Sequence, residues 1–161
     1  MELSLRMTLP SSEGYIAIVR LVVASLAASR RNLAAERIDD LKLAVSEACT
    51  NAIEANRAAG GSRVVEITLW EGAERMEVCI TDSGSGFDPA DLPEHPPVTD
   101  PERLNFERGL GIPLMRSLVD ELRFDPTPEG TSVWMTLFGG PAGDAGDETG
   151  EIIRVVTSED T

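Results

Sequence analysis

The chain has 161 residues, a length that fits a single domain with one core, and its formal net charge is −14. Such a negative chain is a poor match for nucleic acid or anionic lipid, because phosphate binding depends on Lys and Arg; the acidity suits a basic protein partner or serves solubility alone. No apolar run approaches the roughly 20 residues that span a bilayer, and no signal peptide is apparent, so we expect a cytoplasmic protein.

The first part of the chain predicts one strand followed by two helices. Apolar and polar residues alternate over residues 3–9, which is the period of an amphipathic strand. Apolar residues then recur at helical spacing, predicting a first helix that begins at a serine cap, Ser11 or Ser12, and runs to about Arg31. The same spacing predicts a second helix over roughly 35–59, ended by a pair of glycines.

The middle of the chain predicts a hairpin, a long loop, a helix and a strand. Alternating residues over 63–70 and 75–81, joined by a short link, indicate two antiparallel strands. Residues 87–108 contain five prolines and little periodicity, and a loop of this length is uncommon unless it is functional or mobile. Helical spacing returns over 109–122, and a last alternating strand covers 131–138.

The tail over residues 139–161 is rich in glycine and acidic residues. We expect most of it to be disordered, although the apolar residues within 152–156 could form a short added strand. Hairpin-linked strands in the order β-α-α-β-β-loop-α-β favour an α+β fold. The prediction is a two-layer sandwich, in which three helices cover one face of a mostly antiparallel sheet.

A polar pair lies on the second predicted helix. Glu47 and Asn51 are spaced i, i+4 and therefore share one helix face. The Asn51 carbonyl oxygen could bind a hard cation such as Mg²⁺, and the Glu47 carboxylate could orient a water or accept a proton from an attacking hydroxyl. The alternative is an ordinary solvated helix face.

A short acidic and glycine-rich segment follows the predicted hairpin. The Asp82 carboxylate, at the end of an apolar strand, could accept a hydrogen bond from an exocyclic amine and so distinguish adenine from guanine. Gly84 and Gly86 would let the backbone approach a ligand closely. The same residues also suit an ordinary tight turn.

Two further elements could contact such a ligand. Gly109, Leu110 and Gly111 open a predicted helix, whose free amides and positive dipole end suit a phosphate, and Arg108 could pair with phosphate oxygens. Thr131, at the start of the last strand, could support the aspartate through its hydroxyl or simply face solvent. The glycines could equally be loop punctuation. Together, the order and separation of these groups point to a nucleotide site.

In this order the motifs resemble the GHKL ATPases, which share the Bergerat nucleotide-binding fold. Residues 47–51 resemble the N box, 82–86 the G1 box, 108–112 the G2 box, and 130–131 the final Gly-Thr of the family. The resemblance implies ATP and Mg²⁺ as cofactors. It also implies that the loop at about 87–108 is the ATP lid.

Within that superfamily the chain is most similar to the anti-sigma factor serine/threonine kinases of bacterial partner-switching modules. The sequence over 45–52 resembles their N box, and 109–115 with 118–122 resembles their G2 helix. The resemblance implies a kinase domain over 1–138 that phosphorylates a STAS-type anti-anti-sigma antagonist, sequesters a sigma factor and forms homodimers. The acidic tail has no clear counterpart in the family.

The resemblance also suggests a role for each matching residue. Asn51 would hold Mg²⁺, Asp82 would read adenine, Arg108 and the amides of the following glycines would grip phosphates, and Glu47 would act as the base. Thr131 matches the family's final threonine. Arg20, on the first predicted helix, is a candidate partner contact, because similar family helices contribute to the protein-binding surface.

Two other functions stay open at this stage. One is a non-catalytic regulator in which ATP gates protein binding without phosphate transfer, and the other is a structural interaction domain with a dead pocket.

Relatives commonly carry His-Ala four and five residues after the N-box asparagine, where this chain has Ala55 and Asn56. This departure bears on catalysis and on partner identity more than on the fold.

Overall fold

The computed structural model describes residues 1–30, 33–61, 63–84 and 111–139, together with the backbone of residues 153–156. Within these residues lie three α-helices, α1 (Ile16–Ser29), α2 (Ala35–Ala59) and α3 (Gly111–Leu118). The strands within them are β1 (Glu2–Pro10), β2 (Val64–Glu71), β3 (Arg75–Thr81), β4 (Glu121–Thr127), β5 (Gly130–Phe138) and β6 (Ile153–Val156).

The strands form one sheet in the order β4-β5-β3-β2-β1-β6. Neighbouring strands are antiparallel except for β1 and β6, which run parallel. Alternate side chains of the four central strands are buried in one core with the helices: Leu5, Met7, Leu9, Val65, Ile67, Leu69, Met76, Val78, Ile80, Val133, Met135 and Leu137. The predicted α+β sandwich with a mostly antiparallel sheet is confirmed.

The two faces of the sheet differ in chemistry because side chains alternate along each strand. On the face away from the core, Trp70 and Trp134 stack with ring centroids 5.0 Å apart, and the Arg123 guanidinium lies 4.9 Å from the Trp134 centroid. Asp82 and Thr131 fall two positions from core residues on their chain segments, which puts them in register with the helical face. The candidate site therefore belongs to the helical side.

The central helix α2 covers the predicted range and packs closely on the sheet. Most of its buried side chains are small, and the buried residues are Leu41, Ala44, Val45, Ala48, Cys49, Ala52, Ile53 and Asn56. The helix ends at Gly60, which has a φ of 73° and donates its N–H to the carbonyls of Asn56 and Arg57. A positive φ at this position suits glycine, as the sequence predicted.

The helix predicted over 109–122 is wrong beyond residue 118, and residues 109–110 lie outside the described part of the chain. Helix α3 ends at Leu118, and β4 follows after two residues. Apolar spacing around Leu118 fits a helix, yet Leu122 begins an alternation that pairs β4 antiparallel with β5, where it lies opposite Met135. Pairing with β5 satisfies the backbone hydrogen bonds of β4, and this tertiary contact overrides the local helical pattern.

The first helix begins later than predicted. Ser12 has extended backbone, but its side chain makes no capping hydrogen bond, and a 3-10 turn over Glu13–Tyr15 intervenes before α1 begins at Ile16. The alternative cap, Ser11, accepts a hydrogen bond from a buried asparagine of α2 instead. Helix α1 ends at Ser29, and the predicted end at Arg31 lies outside the described residues.

The short strand predicted within 152–156 is confirmed as β6, which pairs in parallel with β1 at the edge of the sheet. The other residues of the tail beyond 139, and with them the predicted disorder, lie outside the described part of the chain. Among the helices of the described residues, none combines the length and apolarity that crossing a bilayer requires.

Candidate functional site

Glu47 and Asn51 lie one turn apart on α2, and both are half-buried. Gly111, the first residue of α3, packs against them: a Cβ at this position would lie 3.0 Å from Glu47 Oε2 and 3.6 Å from Asn51 Oδ1. A side chain here would crowd the Glu47 carboxylate and contact Asn51, so the close approach of the two helices favours a small residue such as glycine. The structure thus brings together the predicted Glu/Asn pair and the glycine at the helix start.

Helix α3 is fixed to α2 at its other end by Arg37. Its Nη1 donates to the Leu118 carbonyl at 3.1 Å, and its Nη2 pairs with the Asp120 carboxylate at 2.7 Å. Asp120 also accepts the backbone N–H of Phe138 at 2.7 Å, which connects this contact to β5. A cation at the C-terminus of α3 also suits the negative end of the helix dipole.

Asp82 is buried directly after β3, with a relative exposure of 6%. Its Oδ1 accepts two backbone N–H groups, from Gly84 at 2.7 Å and from Thr131 at 3.3 Å. Burial raises the pKa of this carboxyl above its usual value, against the lowering effects of these two hydrogen bonds and of the nearby Arg63 charge. Both backbone bonds go to the same oxygen, which fixes the orientation of the carboxylate.

Beside Asp82, Thr131 has a buried hydroxyl without a hydrogen-bond partner within the described residues. Most buried polar side chains have a partner, so an orphan hydroxyl next to a buried carboxylate marks a place for a ligand or a water. The preceding Gly130 has a φ of 149°, and a Cβ there would lie 2.0 Å from the Asp82 carbonyl oxygen. Only glycine fits between β5 and the end of β3.

Gly84 packs against α2. A Cβ at residue 84 would lie 2.9 Å from Asp82 Oδ1 and 3.0 Å from both the Cβ and the carbonyl oxygen of Ala55. Gly84 therefore approaches helix α2 closely. Its close approach to a ligand remains a prediction. A larger side chain at residue 55 would also press on this turn.

Three positions of α2 define one edge of the site. Glu47, Asn51 and Ala55 follow at intervals of four, so they lie along one face and span roughly 12 Å of helix. Gly111 contacts the first two, and Gly84 contacts the third. A carboxylate and an amide thus stand at one end of this edge, and the Asp82 turn stands at the other.

The remaining predicted contacts lie outside the described residues. These are Gly86, Arg108, Gly109 and Leu110, together with the predicted lid over 87–108. Their roles remain predictions.

Sequence reasoning missed two residues that contact the Asp82 turn. Asn56 is 1% exposed, and its Oδ1 accepts the Ser83 N–H at 2.8 Å. Arg63 donates from Nη1 to the Ser83 carbonyl. Asn56 lies on the apolar stripe of α2, three residues beyond Ile53, and a polar residue at a core position is a signal that could have found it.

Arg20 is exposed on α1, as a partner-contacting residue requires. Its neighbours Ile18 and Leu21 are large apolar residues with relative exposures of 47% and 68%. Ile18 and Leu21 are spaced i, i+3 and therefore share one exposed face of α1.

Comparison with known proteins is consistent with this geometry. The chain matches the histidine kinase-like ATPase domain family over residues 9–137. It is 36% identical over 138 residues to the serine-protein kinase RsbW of Bacillus subtilis, covering 83% of this chain and 84% of that protein. It is 35% identical over 138 residues to RsbW of Bacillus licheniformis, with the same coverage.

Solved structures share the fold. The RsbU and RsbW domains of a Mycobacterium tuberculosis protein superpose with a TM-score of 0.58 and 19% identity, covering 89% of this chain and 34% of that one. The histidine kinase domain of a blue-light-activated kinase from Erythrobacter litoralis gives a TM-score of 0.52 and 23% identity, covering 80% of this chain and 64% of that chain.

Proposed function

This chain belongs to the histidine kinase-like ATPase family, among the relatives of the serine-protein kinase RsbW, and on that premise we propose that it is an ATP-dependent serine/threonine-protein kinase and anti-sigma factor. The observation that carries the proposal is the edge along α2. It has Glu47 and Asn51 at one end and the Asp82 turn at the other. That arrangement suits a ligand with a base at one end and phosphates at the other.

The buried end of the edge fits adenine. The Asp82 carboxylate would accept a hydrogen bond from the exocyclic amine, with its orientation held by two backbone N–H groups on Oδ1. The unpartnered Thr131 hydroxyl beside it would gain a partner from the base or from a bridging water. Guanine carries a carbonyl where adenine carries the amine, so it would face the carboxylate unfavourably.

The other end fits phosphates and a metal. Asn51 would hold Mg²⁺ through its Oδ1, and the bound metal would neutralise phosphate charge. The described residues contain no group of three or more His, Cys, Asp or Glu that could hold a metal, and Mg²⁺ commonly takes one or two protein ligands plus phosphates and waters. Gly86, Arg108 and the amides at Gly109 and Leu110 complete the proposed contacts.

We assign few catalytic groups to this chain, because phosphoryl transfer depends mainly on positioning and charge neutralisation. Glu47 would accept the proton of a serine or threonine hydroxyl on the protein substrate. The hydroxyl oxygen forms a bond to the γ-phosphorus as the bond from that phosphorus to the β,γ-bridging oxygen breaks, and ADP leaves. Gly111, which has no side chain, would leave the space beside the Glu47 carboxylate open.

The partners proposed for the chain are a sigma factor and a STAS-type anti-anti-sigma antagonist. The chain itself is proposed to be a homodimer in the cytoplasm. Arg20 is the proposed contact residue, and Ile18 and Leu21 of the same helix give α1 an exposed apolar surface. The serine of the antagonist would be the substrate. A non-catalytic regulator gated by nucleotide is the competing function, and it predicts binding without transfer.

Incubation with γ-labelled ATP, Mg²⁺ and a candidate STAS-type antagonist separates these functions. The wild type should label the antagonist, and Glu47→Ala should retain ATP binding while transfer falls by at least roughly a hundredfold. Glu36→Ala, which removes an exposed glutamate from the first turn of the same helix, should behave as the wild type. Undiminished transfer by Glu47→Ala would exclude its role as base, and ATP binding without any transfer by the wild type would favour the non-catalytic regulator.

A further inference from the structure

The main chain directly after Asp82 is held by two side chains that come from the end of α2 and the start of β2. Asn56 Oδ1 accepts the Ser83 N–H at 2.8 Å. Arg63 Nη1 donates to the Ser83 carbonyl oxygen. The same residue of the turn is therefore bonded through both its amide and its carbonyl, by side chains of opposite hydrogen-bonding character.

Both side chains are themselves anchored. The Asn56 Nδ2 group donates to the Val64 carbonyl at 2.9 Å and to Ser11 Oγ at 3.1 Å. Arg63 donates from Nε to the Gly60 carbonyl at 2.6 Å, at the C-terminal end of α2. These contacts connect the turn to α2, to β2 and to Ser11 just after β1, and they leave neither side chain free to change rotamer without losing hydrogen bonds.

The position of Ser83 controls the geometry of Asp82. Ser83 links Asp82 to Gly84, and the Gly84 N–H bonds to Asp82 Oδ1 at 2.7 Å. A shift of the Ser83 peptide would move that N–H and release one of the two backbone bonds that orient the carboxylate. The second bond, from Thr131, is longer at 3.3 Å and would hold the carboxylate less firmly alone.

We propose that Asn56 and Arg63 are positioning residues, which set base selectivity by holding Ser83 so that the Asp82 carboxylate stays aimed at the ligand. The proposal rests on the proposed reading of adenine by Asp82. Neither residue need touch the nucleotide. A purely structural role is the competing explanation, and it makes a different quantitative prediction. If a variant only reduces the fraction of binding-competent protein, affinities for ADP and GDP fall by the same factor.

Calorimetric titration of the full chain with ADP and with GDP, each with Mg²⁺, tests the proposal. Asn56→Ala should weaken ADP binding roughly tenfold, a factor that corresponds to about 1.4 kcal/mol, and should reduce the preference for ADP over GDP by a similar factor. Ser11→Ala is the matched control: it removes a different partner of Asn56 and leaves the Ser83 bond in place, so the preference should persist. An unchanged ADP/GDP ratio in Asn56→Ala would overturn the proposal and leave the proposed function standing.

A wild type that binds ADP no better than GDP would instead remove the adenine-reading role of Asp82, and the positioning role with it. Arg63→Lys provides a second variant. It keeps the positive charge, but a single ammonium replaces the guanidinium that reaches both the Gly60 and Ser83 carbonyls. We expect it to lose ADP preference as Asn56→Ala does. Full retention would show that a single ammonium holds the Ser83 carbonyl as well as the guanidinium does, and would refute the requirement for the guanidinium of Arg63.

Amide hydrogen exchange of the nucleotide-free protein gives a readout that does not depend on ligand. In Asn56→Ala the Ser83 and Gly84 amides should exchange faster than in the wild type, while the Ile80 amide within β3 keeps its protection. Unchanged protection at Ser83 would contradict the proposal. A uniform loss of protection, including at Ile80, would mean that Asn56 acts on the whole fold, and this result would also contradict it.

Discussion

At the scale of the residue, the candidate site depends on small side chains as much as on charged ones. Gly84 and Gly111 let two chain segments approach α2 so closely that an added Cβ would lie within about 3 Å of existing atoms. Among the described residues, the charged groups at the site include Glu47 on the helix, Asp82 buried at the end of the strand, and Arg63 against the Asp82 turn. The two carboxylates thus have distinct environments, since Glu47 is half-buried on a helix and Asp82 is buried at the end of a strand.

Because the Asp82 carboxyl is buried, we expect the stability of the folded protein to depend on pH. Its pKa is raised in the folded state, so folded protein keeps the proton over a range in which unfolded protein has released it. The stabilising contribution of this group is therefore full below the unfolded-state pKa and is lost as pH rises through the folded-state pKa. Asp82→Asn has no charge to bury, and its Oδ1 can accept the same two backbone bonds.

Thermal unfolding of both proteins without nucleotide, from acidic to neutral pH, checks this prediction. The Tm of Asp82→Asn minus that of the wild type should increase as the pH rises through the window above the usual aspartate pKa. A difference that stays constant, or decreases, would mean that the carboxylate carries no burial penalty in the folded protein.

Sequence reasoning located some site residues and missed others for a physical reason. Glu47 and Asn51 are close in sequence, so helical periodicity alone puts them on one face. Asn56 and Arg63 meet Ser83 across separations of 27 and 20 residues, and no local pattern encodes such contacts. Only the polar identity of a residue on the apolar stripe hinted at the role of Asn56.

At the scale of the element, α2 and β5 between them position the site. Helix α2 carries Glu47, Asn51 and Ala55 along one face, and its Arg37 holds the far end of α3. Strand β5 begins at Gly130, which packs against the carbonyl of Asp82. Its pairing with the β3 segment extends one residue past the end of β3, where the Asp82 N–H donates to the Thr131 carbonyl. The start of β5 is thus a structural support of the Asp82 turn.

Substitution of Gly130 should therefore destabilise the fold. In Gly130→Ala, a φ of 149° and a Cβ 2.0 Å from a backbone oxygen force the strands apart, and we expect a loss of at least about 1–3 kcal/mol in the free energy of unfolding. Gly14→Ala is the matched control, because its Cβ would meet nothing closer than 4.0 Å and should change stability by less than about 0.5 kcal/mol. Urea denaturation measures both variants; equal stabilities would disprove the close packing at residue 130.

The elements themselves show where local patterns suffice. Helix α2 was predicted over its whole length because its apolar stripe is long and a glycine pair ends it. Strand β4 was not predicted: its first two residues were assigned to the end of a helix, because the apolar residues around Leu118 and Leu122 fit both periods over so short a segment. Pairing with β5 selects the strand over the helix, and the local pattern of apolar residues does not show that pairing.

At the scale of the whole molecule, the fold, the family and the α2 edge of the site agree. The family match covers residues 9–137, which includes every described site residue. The candidate site lies on the face of the single sheet that packs against the helices. On the opposite face, Trp70 and Trp134 stack and cover part of the sheet. Phosphoryl transfer needs few side chains, so under the proposed function we expect specificity to come from the Asp82 turn and from the protein partner.

Calorimetry with ADP and Mg²⁺ on the wild type and on Asp82→Asn tests the central claim, an adenine site at the Asp82 turn, most directly. The wild type should bind ADP. Asp82→Asn should bind roughly a hundredfold more weakly or not detectably, because a charged acceptor worth about 1.5–3 kcal/mol is lost. Circular dichroism would confirm that the variant is folded. An ADP affinity equal to that of the wild type would contradict the assignment of Asp82 as the group that reads the base.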